Sequence, residues 1–119
     1  MPATLEWETN DLGVLRFGGI LKQSEFAAAQ QETARKIETG SKPRLLAVAD
    51  NFQGWERGAD WNDLDFMIQH ADDIQKIAVV ADAQWEAQAL AFAGAGVRKA
   101  PVKFFAPGQM DQAREWLVQ

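Results

Sequence analysis

Cysteine is missing from the chain altogether, which removes disulfides, a thiolate nucleophile and any thiolate metal site. Histidine occurs once, as His70, so no histidine-based metal site can be assembled. Serine occurs only as Ser24 and Ser41, and a Ser-His catalytic pair would have to take one of them from a local role in a helix cap or turn. Long apolar runs are absent too, the longest falling far short of the ~20 residues that span a bilayer. The opening MPATLEWETN is acidic and lacks the basic-then-apolar order of a secretory signal. Positive charge is the scarcer sign: 12 Lys and Arg against 17 Asp and Glu leave a formal charge of -5. That balance speaks against nucleic acid, or an anionic membrane held by charge alone, because both need a basic face. A soluble cytoplasmic protein is the expectation.

What remains is ordinary globular material: 119 residues, 47% apolar and 24% charged. That length suits one hydrophobic core, hence a single domain over 1–119. Thr4–Thr9 alternates polar and apolar residues, Asn10-Asp11 supplies a turn, and Leu12–Phe17 follows as a second strand, so an antiparallel hairpin is expected. Ser24 suits the N-cap of a helix reaching about Thr39, with Gly40 as its stop and Pro43 preventing continuation. Arg44–Asp50 and Ile74–Ala81 are apolar runs of the kind buried on both faces of a sheet. Residues 51–59 read as a loop, Asp60 as the cap of a helix to about His70, and Asp82 as the cap of another bearing Trp85, Ala89 and Phe92. Pro101–Ala106 reads as an edge strand because it opens on proline, and Met110, Ala113, Trp116 and Leu117 mark a final helix. The order β-β-α-β-α-β-α-β-α requires crossovers, hence an α/β fold with a mixed, mostly parallel five-stranded sheet and flanking helices.

The unusual stretch is Asp50 to His70. Phe52 and Trp55 fall in the expected loop beside Gly54 and Gly58, and loops of compact domains run over the surface. On a helical wheel Trp61, Leu64, Met67 and Ile68 share a flank that can dock on the sheet, whereas Phe66 lies away from it. Two readings stand side by side. The aromatics fold back to close the edge of the core, with Phe66 meeting a neighbouring loop or subunit. Alternatively they form a lid over an apolar pocket or a wedge for a membrane or partner, rimmed by Glu56, Arg57, Asp60, Asp63 and Asp65. Ligands of open α/β sheets bind beyond the carboxyl ends of parallel strands, where Asp50 and Ala81 lie. Trp85, with Leu90 and Phe92, extends such a site or packs in the core.

Other polar groups offer little chemistry. Asp60, Asp63 and Asp65 lack calcium-loop spacing and suit a helix N-terminus. Gly94-Ala95-Gly96 follows a helix, unlike a dinucleotide fingerprint. Arg98, Lys99 and Lys103 form a small basic cluster suited to solvation or an anionic headgroup.

The segments GGILKQSEF (18–26), LLAVADNFQGWERGADWNDLDF (45–66), KIAVVADAQW (76–85) and VKFFAPGQMDQAREWL (102–117) together resemble the STAS domain, and more narrowly the bacterial SpoIIAA-like family. The Gly54-Trp55 and Trp61 pattern, the KIAVV strand and the terminal A-x-x-WL carry the narrower likeness. STAS antagonists of anti-sigma factors switch by phosphorylation of a serine after the third strand. Here that junction reads Asp50-Asn51-Phe52-Gln53-Gly54-Trp55, with no hydroxyl side chain. For the family, whose architecture is related to CRAL-TRIO lipid-binding folds, the resemblance implies a small apolar ligand held between helices and sheet, with membrane association.

The expectation is a non-enzymatic protein that binds a small apolar or amphipathic, lipid-like ligand through Phe52, Trp55, Trp61, Leu64, Phe66, Met67 and Trp85, with peripheral membrane contact. The alternative is a regulatory or protein-interaction module acting through the same aromatic surface. Neither needs a cofactor, a metal or a catalytic residue. Exposed aromatics and a proline-led edge strand make a homodimer reasonable.

Overall fold

The computed structural model of the chain describes residues 3–9, 11–57, 73–92 and 101–119. In chain order it contains β1 (Thr4–Thr9), β2 (Leu12–Leu21), α1 (Gln23–Glu38), β3 (Arg44–Trp55), β4 (Lys76–Val80), a 3-10 turn (Ala83–Trp85), α2 (Glu86–Phe92), β5 (Val102–Phe105), a second 3-10 turn (Pro107–Gln109) and α3 (Met110–Val118). The strands form one sheet in the order β1-β2-β3-β4-β5. β1 and β2 are the antiparallel hairpin, and every other pairing is parallel. The α/β class, the mixed five-stranded sheet and the edge position of β5 are as expected from the sequence. The helix expected from Asp60 to His70 lies outside the described residues.

The pleat sorts the strands' side chains onto two faces. Paired residues share a face, so Val14, Leu46, Ala78 and Lys103 form one cross-sheet row, and Arg16, Val48, Val80 and Phe105 the next. α3 covers this face: Ala113 and Leu117 are fully buried in the same cluster as Val14, Leu46 and Val80, with Met110 and Trp116 packed against it. Leu45, Ile77, Val79, Val102 and Phe104 point the other way, where Ile37 of α1 and Ala89 of α2 meet them. Burial on both faces is why β3 and β4 read as unbroken apolar runs. A fully buried Leu such as Leu46 or Leu117 contributes roughly 1.5–3 kcal/mol.

Two charged contacts fasten α3. Lys76 Nζ donates to the carbonyl oxygens of Trp116 (2.9 Å) and Gln119 (3.1 Å), placing a cation where the helix dipole favours one. At the other side of the sheet, Arg114 clamps Glu8 of β1 with two guanidinium nitrogens, Nη2 donating to Oε2 at 2.9 Å. The hydrogen bond from Arg114 holds the Glu8 carboxyl below its ordinary value, and the same bond raises Arg114.

Several boundaries differ from the sequence reading. Ser24 is not a cap: α1 starts at Gln23, with Lys22 at the N-cap position and no side-chain cap bond there. The Gln23 N–H instead donates to Glu56 Oε1 at 3.2 Å, so the end of β3 serves an amide of the first turn. β2 and β3 extend past Phe17 and Asp50 to Leu21 and Trp55, so the expected loop at 51–59 is strand over its first five residues. Glycines and Asn51 disguised this extension, because residues that normally break strands here serve bulges. Asp82 precedes a 3-10 turn, and the α-helix proper begins only at Glu86.

Gly18 has no room for a side chain: a Cβ there would stand 2.5 Å from the carbonyl oxygen of Asp50. Gly18→Ala must push the two strand ends apart, and a loss of roughly 1–3 kcal/mol is expected in urea unfolding. An unchanged midpoint would contradict this close approach. The Glu8–Arg114 pair sets a pH dependence. Because the folded carboxyl value lies below the unfolded one, its contribution is complete above ~4.3 and is lost as pH falls through the folded value. Glu8→Gln should therefore cost at most about 1 kcal/mol at pH 7, with the difference from wild type vanishing in acid. A difference that does not vary with pH would contradict the link.

Candidate functional site

Pairing between β2 and β3 is regular from Leu12↔Arg44 to Phe17↔Ala49, then resumes as Gly19↔Phe52, Ile20↔Gly54 and Leu21↔Trp55. The extra residues belong to β3, so its end bulges twice, at Asp50-Asn51 and at Gln53. Bulges in parallel pairs are rare, and they re-aim side chains. The backbone angles fit this. Gly19 (φ 61°), Asn51 (φ 55°) and Gly54 (φ 116°) all occupy the positive-φ region, which glycine reaches freely and asparagine tolerates.

The bulges turn Phe52 inward at the carboxyl ends of the strands, where it becomes the hub of four rings. Its centroid lies 5.1 Å from that of Phe17, 4.9 Å from that of Trp55 and 5.0 Å from that of Trp85. Trp55 and Trp85 are 5.9 Å apart at an interplanar angle of 81°. All four contacts are edge-to-face, the arrangement that ring quadrupoles favour. Phe52 is only 8% exposed, while Phe17, Trp55 and Trp85 are half-buried. Trp85 reaches the group through the 3-10 turn after β4, closed by its own N–H donating to the Asp82 carbonyl at 2.9 Å. Its ring approaches Gly54, where an added Cβ would stand 3.8 Å from it.

Charged and apolar groups border the cluster. Asp50, Arg57, Asp82, Glu86 and Lys22 are exposed near it along the chain, and Glu56 is half-buried. Glu56 also joins the strand ends, its N–H donating to the Leu21 carbonyl at 2.9 Å. Ile20 stands 54% exposed on the β2 side. The Trp85 indole N–H is buried and finds no acceptor among the described residues.

Of the residues singled out in the sequence, Phe52, Trp55 and Trp85 are brought together. Trp61, Leu64, Phe66 and Met67 lie outside the described residues, as do Asp60, Asp63, Asp65, His70, Arg98 and Lys99. Leu90 is half-buried on α2. Lys103 belongs elsewhere, on the α3 face above the rings of Phe105 (5.3 Å) and Trp116 (6.0 Å). There it borders an open, polar groove of about 460 Å³ with Gln109, Gln112 and Glu115. Sequence reading missed Phe17 and Ile20. The signal was the Gly18-Gly19 pair between them, which marks a close backbone approach at a strand end.

Among the described residues no three His, Asp or Glu side chains gather to hold a metal ion. Ser24 is exposed on α1, and Ser41 lies between α1 and β3. Among the described residues, no helix is long and apolar enough to cross a membrane.

The SpoIIAA-like family matches residues 12–118, nearly the whole chain, and the protein belongs to that family. Among solved structures it is similar to an uncharacterized protein of the DUF3478 family with a SpoIIAA-like fold, from Shewanella loihica PV-4. The two share 18% identity with a TM-score of 0.67, over 97% of this chain and 91% of the other; at that identity the likeness concerns the fold. No curated protein matches.

If Phe52 is the hub, its removal should be felt throughout the cluster. Phe52→Ala should cost roughly 3–5 kcal/mol and flatten the near-ultraviolet circular dichroism of the coupled tryptophans. A mild loss with an unaltered aromatic spectrum would show that the rings do not depend on it.

Proposed function

We propose that the protein is a non-enzymatic binding protein whose ligand is small and apolar or amphipathic, lipid-like in character, with peripheral contact to a membrane as a companion property. One observation carries the reading: Trp55 and Trp85 stand partly uncovered over a buried Phe52, at the carboxyl ends of β2, β3 and β4. Ligands of open α/β sheets bind at such ends, and binding sites are mostly apolar with a few polar groups to orient the ligand. The rings supply the apolar surface and the bordering carboxylates the polar groups. With no hydroxyl side chain from Asp50 to Trp55, a serine-based phosphoswitch at this junction is not part of the proposal.

A second reading draws support from Ile20. A large apolar residue 54% exposed beside the cluster suits docking of a partner protein or a second copy, in the manner of a regulatory STAS module.

Native mass spectrometry of protein purified without detergent separates the two. The first reading expects a retained apolar molecule, released by organic extraction and diminished in Trp85→Ala. Extracted protein that takes up no fatty alcohol or fatty acid would overturn it. The second expects Ile20→Asp to abolish self-association or capture of a partner while ligand content stays the same.

A further inference from the structure

We propose that copies of this chain join head to tail, strand β1 of one copy adding to the open edge of β5 of the next, so that the sheet continues from molecule to molecule. Main-chain direction, side-chain face and charge agree on a single register. β1 and β5 are the two edges of the sheet, and among the described residues each pairs with one neighbouring strand. At β5 the carbonyls of Pro101 and Phe105 accept from the N–H groups of Ile77 and Ala81, at 3.1 and 3.2 Å. Strand residues turn their N–H and C=O groups to alternate sides, so Val102 and Phe104 direct theirs away from β4. At β2 the Asp11 carbonyl accepts from the Arg44 N–H of β3 at 2.7 Å, so Val14 and Arg16 turn their groups the other way, toward β1. Their partners Glu6 and Thr4 therefore bond inward, and Leu5 and Trp7 direct their groups outward.

β1 runs against β2, whereas β2 to β5 run together. A second copy in the same orientation thus brings its β1 antiparallel to β5. Leu5 then exchanges main-chain bonds with Phe104, and Trp7 with Val102. Glu6 falls opposite Lys103 in the non-hydrogen-bonded pair between them, where side chains come closest. The faces agree as well: Glu6 lies in the cross-sheet row of Val14, Leu46, Ala78 and Lys103, and Leu5 and Trp7 lie on the face of Phe104 and Val102. The open polar groove between β5 and α3 receives the polar side of the added strand. Phe104 lines that groove although its side chain packs on the opposite face, so the groove exposes its main chain. Lys103 is the cation there and Glu115 the carboxylate, among the amides of Gln109, Gln112 and Gln119. Thr4 and Glu6, both exposed on β1, enter beside them. Symmetric pairings through the same main-chain groups fail on charge. Two β1 edges would set Glu6 against Glu6 and two β5 edges Lys103 against Lys103, and like charges directly opposite destabilise a sheet. Helices cover both faces, so the sheet cannot curl closed on one partner, and a head-to-tail contact grows past the dimer.

Sedimentation velocity from micromolar to millimolar concentration tests this. The mean mass is expected to climb past that of a dimer. Glu6→Lys and Lys103→Glu, both at exposed positions and checked for an unchanged circular dichroism spectrum, should each weaken assembly roughly tenfold by setting like charges opposite. An equimolar mixture should recover it, since the altered edge of each variant then meets the altered edge of the other. The first change makes the chain less acidic and the second more so, and an effect of overall charge would therefore move them in opposite directions. Leu5→Pro, which removes an outward donor and leaves the bonds to β2 whole, should block growth. A wild-type chain that stays monomeric throughout, or stops at a dimer, would overturn the proposal. So would charge variants that assemble like wild type, a mixture that fails to recover, or self-association that Ile20→Asp alone abolishes.

Discussion

Strand β2 has ten residues and its parallel partner β3 has twelve, and the surplus has to go somewhere. Over the first half of the pairing the register is strict, which keeps Leu46 and Val48 on one face of the sheet and Leu45 and Ala47 on the other. All of the surplus is taken up beyond Phe17↔Ala49, where the Asp50 carbonyl presses so close to Gly18 that a methyl group would not fit. A slip of one residue at the start would turn the core outward. The same slip at the end merely re-aims a few side chains, and the sequence places its positive-φ residues there. Core and aromatic cluster are thus two halves of one pairing, one kept in strict register and the other released from it.

The release also couples parts that lie far apart in the chain. Glu56, one residue beyond β3, bonds the Leu21 carbonyl through its amide and the first amide of α1 through its carboxylate. The hub ring Phe52 links the end of β2, the end of β3 and the turn after β4. α3 fastens the opposite face, held by Leu117 and Ala113 in the core and by Lys76 and Arg114 at its edges. A ligand meeting Trp55 and Trp85 would therefore bear on three connections of the sheet while leaving the α3 face untouched.

Much of this was legible in the sequence, and the exceptions have physical causes. Strands buried on both faces announce themselves as apolar runs, and the hairpin and the final helix followed from alternation and spacing. The SpoIIAA-like family was also visible, in the Gly54-Trp55 pattern and the terminal Trp116-Leu117. Phe52, Trp55 and Trp85 were expected in one site at the strand ends, but the way the strand brings them together was not foreseen. It depends on bulges, and a bulge looks like a loop when glycine and asparagine interrupt a strand. Phe17 was missed because, next to the regular strand, it reads as one more core residue. Ser24 misled in the opposite direction: a good capping residue one position inside the helix, while a glutamate far along the chain served the amide.

Indole N–H resonances report the central claim most directly. The account predicts that a saturating, sub-micellar amphiphile such as decyltrimethylammonium shifts the indole signals of Trp55 and Trp85 in a proton–nitrogen correlation spectrum. The signals of Trp7, which lies beneath Lys36 of α1, and of Trp116 on α3 should stay in place. Shifts confined to Trp7 or Trp116, or no shift at any indole, would contradict an apolar binding site at the carboxyl end of the sheet.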